Sequence, residues 1–179
     1  LDFNEDTLHY TRNVLEAATR SHNRATQLQF TKKSVHHLLK ESGKISASAD
    51  YQKYDLVYCA GLFDYLSDQV CHRLLNSMYD WLSPGGLLVA MCGQSYLDEI
   101  YAMMSQHIDY YWTAAYLTPG QPTPLRQVNV NTTWKPLLIF QNGKYTGKIF
   151  GDVFKSDNND KDLHKWGQSE SGMLDIISK

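Results

Sequence analysis

The sequence predicts an α/β protein built on a doubly wound sheet, in which helices cover both faces of mostly parallel strands. The main observation is the stretch 54–90, where two short apolar runs flank an amphipathic segment and a Pro-Gly-Gly turn. A buried strand, a crossover helix and a second buried strand produce this pattern. The segments before it also alternate between helix-like and strand-like patterns, whereas 110–117 and 132–140 after it are both strand-like.

Size and composition are typical of one globular domain, which we expect to span residues 1–179. The net charge of -2 lacks the strongly basic character of many nucleic-acid-binding domains. Cys59, Cys71 and Cys92 have no metal-ligand spacing and suit reduced thiols, so a cytoplasmic location is expected. The longest apolar run, Leu87 to Cys92, is too short to span a membrane, and no membrane association is expected.

The first fifty residues predict the tail of a strand at Leu1-Asp2-Phe3, followed by two helices around one short strand. Asn4 is a suitable cap for a helix over 5–22, whose first turn is acidic. The alternating residues 27–31 predict a strand, and Ser34 is a suitable cap for a short helix ending at Leu39. The polar segment 41–52 predicts a loop.

The remaining elements follow from apolar spacing and turn residues. Gln141-Asn142-Gly143-Lys144 predicts a tight hairpin turn. His36, His37 and His72 lack metal-ligand spacing and are expected at the surface. The predicted strands are 56–60, 87–91, 110–117 and 132–140, and the predicted helices are 68–82, 95–107 and 169–178.

Residues 1–90 resemble class I S-adenosylmethionine-dependent methyltransferases through LDFNEDTLHYTRNVLEAA, FTKKSVHHLL and YDLVYCAGLFDYLSD. The resemblance implies a Rossmann-like methyltransferase sheet, whose last two strands form an antiparallel hairpin beside the fifth strand. It also implies that S-adenosylmethionine is the cofactor. Asp2 would bind the ribose hydroxyls and Ser34 and Val35 would hold the adenine, while Cys59, Ala60 and Gly61 would line the pocket.

Each of these residues also has a purely structural interpretation, and both interpretations stay open. Asp2 is equally suited to a polar strand end. Ser34 can cap a helix that begins with Val35 as a core residue. The small residues 59–61 also suit tight packing of a helix on a sheet.

Residues 84–179 resemble phage-type DNA methyltransferases that modify the N6 amine of adenine. The clusters that carry the resemblance are Gly93-Gln94-Ser95-Tyr96, Trp134-Lys135-Pro136, Gly151-Asp152-Val153 and His164 to Met173. The resemblance implies DNA as a partner and places His164, Gln168 and Ser169 beside the methionine end of the cofactor. Ser169 is equally suited to capping a helix. Three tryptophans suit either stacking on bases or filling the core, namely Trp112, Trp134 and Trp166.

The chain departs from both families at their most diagnostic motifs. No glycine-rich loop of the G-x-G type occurs, and Cys59-Ala60-Gly61-Leu62 stands where the second family has Asp/Asn-Pro-Pro-aromatic.

Two hypotheses about function therefore follow. One is a methyltransferase or an incomplete remnant of one, acting on DNA. The other is a non-catalytic nucleic-acid-binding module, or a hybrid fragment joined at Pro84-Gly85-Gly86. A missing first strand would leave an open sheet edge, which predicts self-association.

Overall fold

The computed structural model describes residues 2, 4–23, 25–45, 53–60, 62–118 and 122–155. These residues fold as two compact units, Leu1–Tyr51 and Gln52–Lys179, and each unit is described by itself. The prediction of a single domain over residues 1–179 stays a prediction. Within the described ranges, no helix combines the length and apolar character needed to cross a membrane.

Two helices make up most of the first unit, α1 (Glu5–Ser21) and α2 (Val35–Ile45). The predicted helix over 5–22 is confirmed, including its cap. The side chain of Asn4 accepts hydrogen bonds from the amides of Asp6 and Thr7. No residue of α1 is buried, so the helix depends largely on its own capping and backbone hydrogen bonds.

The predicted strand over 27–31 is wrong. Its burial alternates as a strand's would, but a strand also needs a neighbour, and within the described chain only Lys32 pairs, in an isolated parallel bridge with Asp2. The predicted loop over 41–52 is also wrong in part, because α2 continues to Ile45. Leu38 and Ile45 are seven residues apart, two helical turns, and this spacing supports the longer helix.

The second unit is a mixed α/β layer structure with a five-stranded sheet and a separate two-stranded hairpin. Among the described residues of this unit, the helices are α3 (Asp68–Trp81) and α4 (Leu97–Met104), preceded by short 3-10 turns at Phe63–Tyr65 and Gln94–Tyr96. Its strands are β1 (Tyr54–Ala60), β2 (Leu82–Met91), β3 (Asp109–Leu117), β4 (Thr123–Leu125), β5 (Val130–Thr132), β6 (Trp134–Gln141) and β7 (Val153–Lys155).

The strand order in the large sheet is β1-β2-β6-β3-β7. β1 and β2 are parallel, as expected of a crossover through α3. β6 is antiparallel to both of its neighbours, β2 and β3. The predicted α/β fold is thus confirmed, and so is the insertion of the antiparallel pair beside the second strand of the crossover unit. Within the described residues β1 is an edge strand, with a neighbour on one side only.

The predicted hairpin after β6 is wrong. Gly143 does adopt a left-handed conformation, with φ of 72°. However, β6 already has β2 on one side and β3 on the other, so it has no free edge for a hairpin partner. The chain instead leads to β7, which pairs in parallel with β3.

The Pro84-Gly85-Gly86 turn lies inside β2 as a bulge, rather than ahead of the strand. The register with β1 passes from Tyr54–Leu82 directly to Leu56–Leu87, so four residues of β2 face one residue of β1. Gly85 has φ of 79°, a conformation that glycine adopts without strain. Asn142 fixes the bulge through its backbone, which bonds to both Gly85 and Gly86.

The central strands β2 and β6 are buried on both faces. Residues 87–91 of β2 and 137–140 of β6 are all buried, as in strands covered by layers on each side. One face holds a cluster that includes Val89, Ile139 and Tyr116. Leu138 of β6 contributes to the opposite face, beside α4. This rigid centre fixes the positions of the loops at the carboxyl ends of β1 and β2.

Candidate functional site

The carboxyl ends of β1 and β2 lie at the same edge of the sheet, because the two strands are parallel. In open α/β sheets this edge is where ligands generally bind. Cys59 is buried, with 5% of its surface exposed, and pairs with Ala90 of β2. Ala60 is exposed at the strand end and pairs with Met91. The structure therefore brings Cys59 and Ala60 to this edge, with Ala60 available to a ligand.

Gln94 joins this edge to the neighbouring strands. It lies in the loop that follows β2, after Cys92 and Gly93, and its side-chain amide donates hydrogen bonds to the Thr132 hydroxyl and to the Trp134 carbonyl oxygen. The Cys92 amide also donates to the Pro136 carbonyl, at 3.3 Å. These bonds tie the exit of β2 to the start of β6, so the loop that follows β2 has a defined position.

A cleft of about 520 Å³ begins at Gln94 and runs between α4 and the sheet. Its walls are aromatic and aliphatic with a few polar groups, and they are formed by Gln94, Leu97, Asp98, Tyr101, Tyr110, Thr113 and Leu138. The rings of Tyr101 and Tyr110 meet edge to face with centroids 5.1 Å apart. The hydroxyls of Tyr110 and Thr113 are hydrogen-bonded at 3.0 Å.

The sequence motifs do not point to Asp98, Tyr101, Tyr110 or Thr113 as site residues. A signal for the cleft does exist in the sequence, because Gln94 belongs to the cluster Gly93-Gln94-Ser95-Tyr96 immediately after a buried strand. The tyrosines carry no such signal, since their spacing on α4 and β3 is also that of core residues.

Asp2 lies in the first unit and is half-buried. Its backbone pairs with the segment around Lys32, accepting from the Lys33 amide at 2.9 Å. Its Oδ1 atom accepts the Asn4 amide at 2.8 Å. One carboxylate oxygen therefore orients the residue before α1. For Oδ2 the structure gives no hydrogen bond among the described residues.

Ser34 and Val35 stand at the start of α2. The Ser34 hydroxyl accepts the His37 amide at 3.3 Å, and its carbonyl accepts the Leu38 amide at 3.0 Å. This is helix capping, the structural alternative for Ser34. Val35 is half-buried. Capping and cofactor binding are compatible, since a hydroxyl oxygen can accept one bond and still donate another.

The other predicted site residues, Gly61, His164, Gln168 and Ser169, lie outside the described residues, as does Trp166. Trp112 is 51% exposed and Trp134 is half-buried, so of these two only Trp134 approaches a core position.

The three cysteines are all buried and form no disulfide. Burial is the main cause that raises the pKa of the Cys71 thiol, and the nearby Asp68 carboxylate contributes as well. Cys71 also lies 3.9 Å from the Phe63 carbonyl oxygen. A thiol with a raised pKa is a weak nucleophile at neutral pH, so Cys71 is a structural residue.

No protein-family model matches the chain, and no curated protein sequence matches it significantly. Several solved structures resemble it at low identity. The complex of M1.HpyAVI with SAM is 12% identical over 70% of this chain and 65% of that one, with a TM-score of 0.48. The N-methyltransferase NodS from Bradyrhizobium japonicum, bound to S-adenosyl-L-homocysteine, is 14% identical over 72% and 61%, with a TM-score of 0.46.

A proposed DNA modification methylase from Thermus thermophilus is 13% identical over 65% of each chain, with a TM-score of 0.46. The chain spans less than two thirds of the length of each of these three proteins. Because all three TM-scores are below 0.5, these similarities do not assign the chain to a family or an activity.

Proposed function

We propose that the chain is an S-adenosylmethionine-dependent methyltransferase, or an incomplete remnant of one, with DNA as its methyl acceptor. One observation carries the proposal. β6 is inserted antiparallel between β2 and β3, next to the parallel pair β1 and β2. The methyltransferase resemblance of the sequence implies this order and these directions.

Within each unit taken separately, some of the residues that the resemblance implies suit parts of the cofactor. Oδ2 of Asp2 can accept a ribose hydroxyl, and Val35 offers an apolar contact for adenine. Ala60, which is small and exposed at the sheet edge, permits close approach of a ligand. Against this, the sequence contains no glycine-rich loop, and the two glycines after Pro84 form a strand bulge. S-adenosylmethionine supplies the electrophilic methyl group when it is bound.

The acceptor in this proposal enters the cleft beneath α4. Methylation of an exocyclic amine needs an acceptor for its proton and a ring that stacks on the base. Cys59, Ala60 and Leu62 supply neither. Asp98 offers a carboxylate in the wall of the cleft, and Tyr101 and Tyr110 offer rings there.

Thermal unfolding with and without S-adenosylhomocysteine tests the proposal. At about 100 times the dissociation constant a ligand adds about 2.7 kcal/mol of stability, which should raise the midpoint by roughly 5–10 °C. We expect Asp2→Asn to reduce the shift. Asp6→Asn, which removes the same charge from the first turn of α1, should leave it unchanged. A cooperative transition that ligand at millimolar concentration does not move would refute cofactor binding.

A second candidate function is nucleic-acid binding without catalysis. Exposed rings at the start of β3 favour it, because Tyr110, Tyr111 and Trp112 are 39%, 36% and 51% exposed. Exposed aromatic rings stack on bases of single strands with little sequence preference.

Fluorescence anisotropy with labelled single-stranded DNA separates the two functions. Trp112→Ala should weaken binding by about tenfold, as the loss of one stacked base implies. Tyr65→Ala, which removes a ring that is 87% exposed, is the matched control. Binding that weakens with salt and ignores S-adenosylhomocysteine supports the second function. The absence of binding at low salt excludes it.

The proposal also includes self-association through β1. Tyr54 and Leu56 of this edge strand are 42% and 41% exposed. An exposed strand edge presents unpaired backbone groups that a second chain can bind.

A further inference from the structure

Two histidines from different elements meet in the second unit. His72 lies on α3, and His107 lies in the turn after α4. Their nearest ring nitrogens, Nδ1 of His72 and Nε2 of His107, are 2.6 Å apart. The ring centroids are 4.9 Å apart, and the ring planes are inclined at 64°. His36 and His37 are exposed as predicted, but the expectation of a surface position for His72 is wrong, because it is half-buried between these elements.

Both imidazoles stand on well-fixed backbone. The amide of His107 donates to the Met104 carbonyl at 2.9 Å, and Met104 itself is fully buried. His72 is preceded on α3 by Cys71 and followed one turn later by Leu75, both of which are buried. The two rings are therefore held together by the packing of their elements and not only by their own hydrogen bond.

The two facing ring nitrogens bring two metal-binding atoms to one place. They belong to separate elements and lie 2.6 Å apart. A neutral imidazole nitrogen is a common ligand of metal ions in proteins.

We propose that His72 and His107 form a two-imidazole binding site for a divalent transition-metal ion such as Ni²⁺, Cu²⁺ or Zn²⁺. Metal–nitrogen bonds of about 2.0–2.1 Å at square or tetrahedral geometry require the two nitrogens to be roughly 2.8–3.4 Å apart. The nitrogens must therefore separate by less than about 1 Å from their present distance. Each ring must also turn so that its lone pair points at the metal and not at the other ring. Rotation about the side-chain torsions can supply both changes.

The chemistry of binding is simple. The hydrogen atom now shared between Nδ1 of His72 and Nε2 of His107 moves to an outer ring nitrogen, and the metal takes its place. The N–H bond that breaks is replaced by an N–H bond at the outer nitrogen of the same ring, so the number of protons on the pair does not change. Imidazole ligands select late first-row metals over Mg²⁺. Among the described residues no group of three or more His, Cys, Asp or Glu is arranged to hold a metal, so water would complete the coordination.

Sequence spacing conceals this site, because its two members are 35 residues apart and belong to different elements. The site involves none of the residues proposed for cofactor or DNA, so its test is independent of the proposed function.

The test is a calorimetric titration of the full chain with NiCl₂, using untagged protein from which bound metal has been removed with a chelator. We expect micromolar binding that weakens by at least tenfold in His72→Ala and in His107→Gln. His36→Ala, which removes an exposed histidine from α2, should leave the affinity unchanged. MgCl₂ should not bind. Equal affinity in all variants, or no binding at 1 mM Ni²⁺, would overturn the proposal.

The electron paramagnetic resonance spectrum of Cu²⁺ bound to the unaltered chain provides a second readout, which does not depend on how the variants fold. Hyperfine coupling to two imidazole nitrogens is the expected result. A bound Cu²⁺ ion without that coupling would show that the metal binds elsewhere and would overturn the proposal.

Discussion

At the scale of single residues, Gly86 occupies a position with no space for a side chain. A Cβ atom there would lie 2.9 Å from the Ser83 carbonyl oxygen and 3.0 Å from that of Tyr54. Both are backbone atoms in the β1–β2 register, so the strands themselves would have to move. We expect Gly86→Ala to lower the free energy of unfolding by about 1–3 kcal/mol, measured by urea denaturation.

The matched control is Gly151→Ala, because a Cβ atom at Gly151 meets nothing within 4 Å. Its φ is not in the left-handed range, so alanine should be neutral or stabilise by about 0.4–1 kcal/mol through the unfolded state. Equal effects of the two substitutions would argue against a steric role for Gly86.

Tyr58 should make the stability of the sheet depend on alkaline pH. Burial is the main cause that raises the pKa of Tyr58 well above its ordinary value of 10.0, with Tyr116 contributing. Below pH 10 the phenol is protonated in both the folded and the unfolded state, so its contribution to stability is fully present. As pH rises further, the unfolded state ionises first and that contribution is lost.

We therefore expect the free energy of unfolding to fall above pH 10, and to fall less steeply in Tyr58→Phe. Tyr65→Phe removes the phenol of a residue that is 87% exposed. Its free energy of unfolding should vary with pH as that of the unaltered chain does. Urea denaturation between pH 8 and 11 measures both. Parallel curves for all three proteins would exclude Tyr58 as the cause.

At the scale of elements, α1 shows how much depends on a cap. The side chain of Asn4 accepts two amides of the first turn, and the helix has no buried residue to compensate for their loss. We expect Asn4→Ala to destabilise α1 by about 1 kcal/mol, seen as faster hydrogen exchange of its amides. Asn13→Ala, on the exposed face of the same helix, should slow exchange slightly or leave it unchanged.

Several helices and strands were predictable because their apolar spacing is local. α1, α3, β1 and β3 all lie close to the positions that the sequence indicates. The errors arose where pairing decides the structure. Gln141 to Lys144 has suitable turn residues, but no edge of β6 is free, and that fact depends on strands distant in sequence.

At the scale of the whole molecule, the β1 edge should drive self-association. We expect light scattering to show concentration-dependent dimers, and Leu56→Lys to shift them towards monomer by placing a charge on the edge. Val153→Lys is the control on the opposite edge, where β7 has three residues against seven in β1. A monomer at all concentrations, or equal effects of both substitutions, would contradict association through β1.

The candidate site was predictable only in part, for a physical reason. Cys59 and Ala60 could be located at the sheet edge because the end of a strand can be read from its apolar run. The cleft could not be predicted, because it forms where α4, β3 and β6 converge. The sequence of each element alone does not show which other elements it will contact. Asp2 and Ser34 were identified by resemblance. The structure shows that Ser34 caps α2 and that Asp2 accepts the amide of Asn4, the cap residue of α1.

The buried cysteines of the second unit can report when the layers around them open. Cys59 and Cys92 are 5% and 2% exposed at the ends of neighbouring strands, and Cys71 is 3% exposed on α3. A thiol reagent can reach them only when the surrounding layer opens. The labelling rate of Cys71 therefore reports how often α3 detaches from the sheet. The labelling rates of Cys59 and Cys92 report how often β1 and β2 separate. Mass spectrometry of partly labelled protein would thus reveal which layer of the fold opens first.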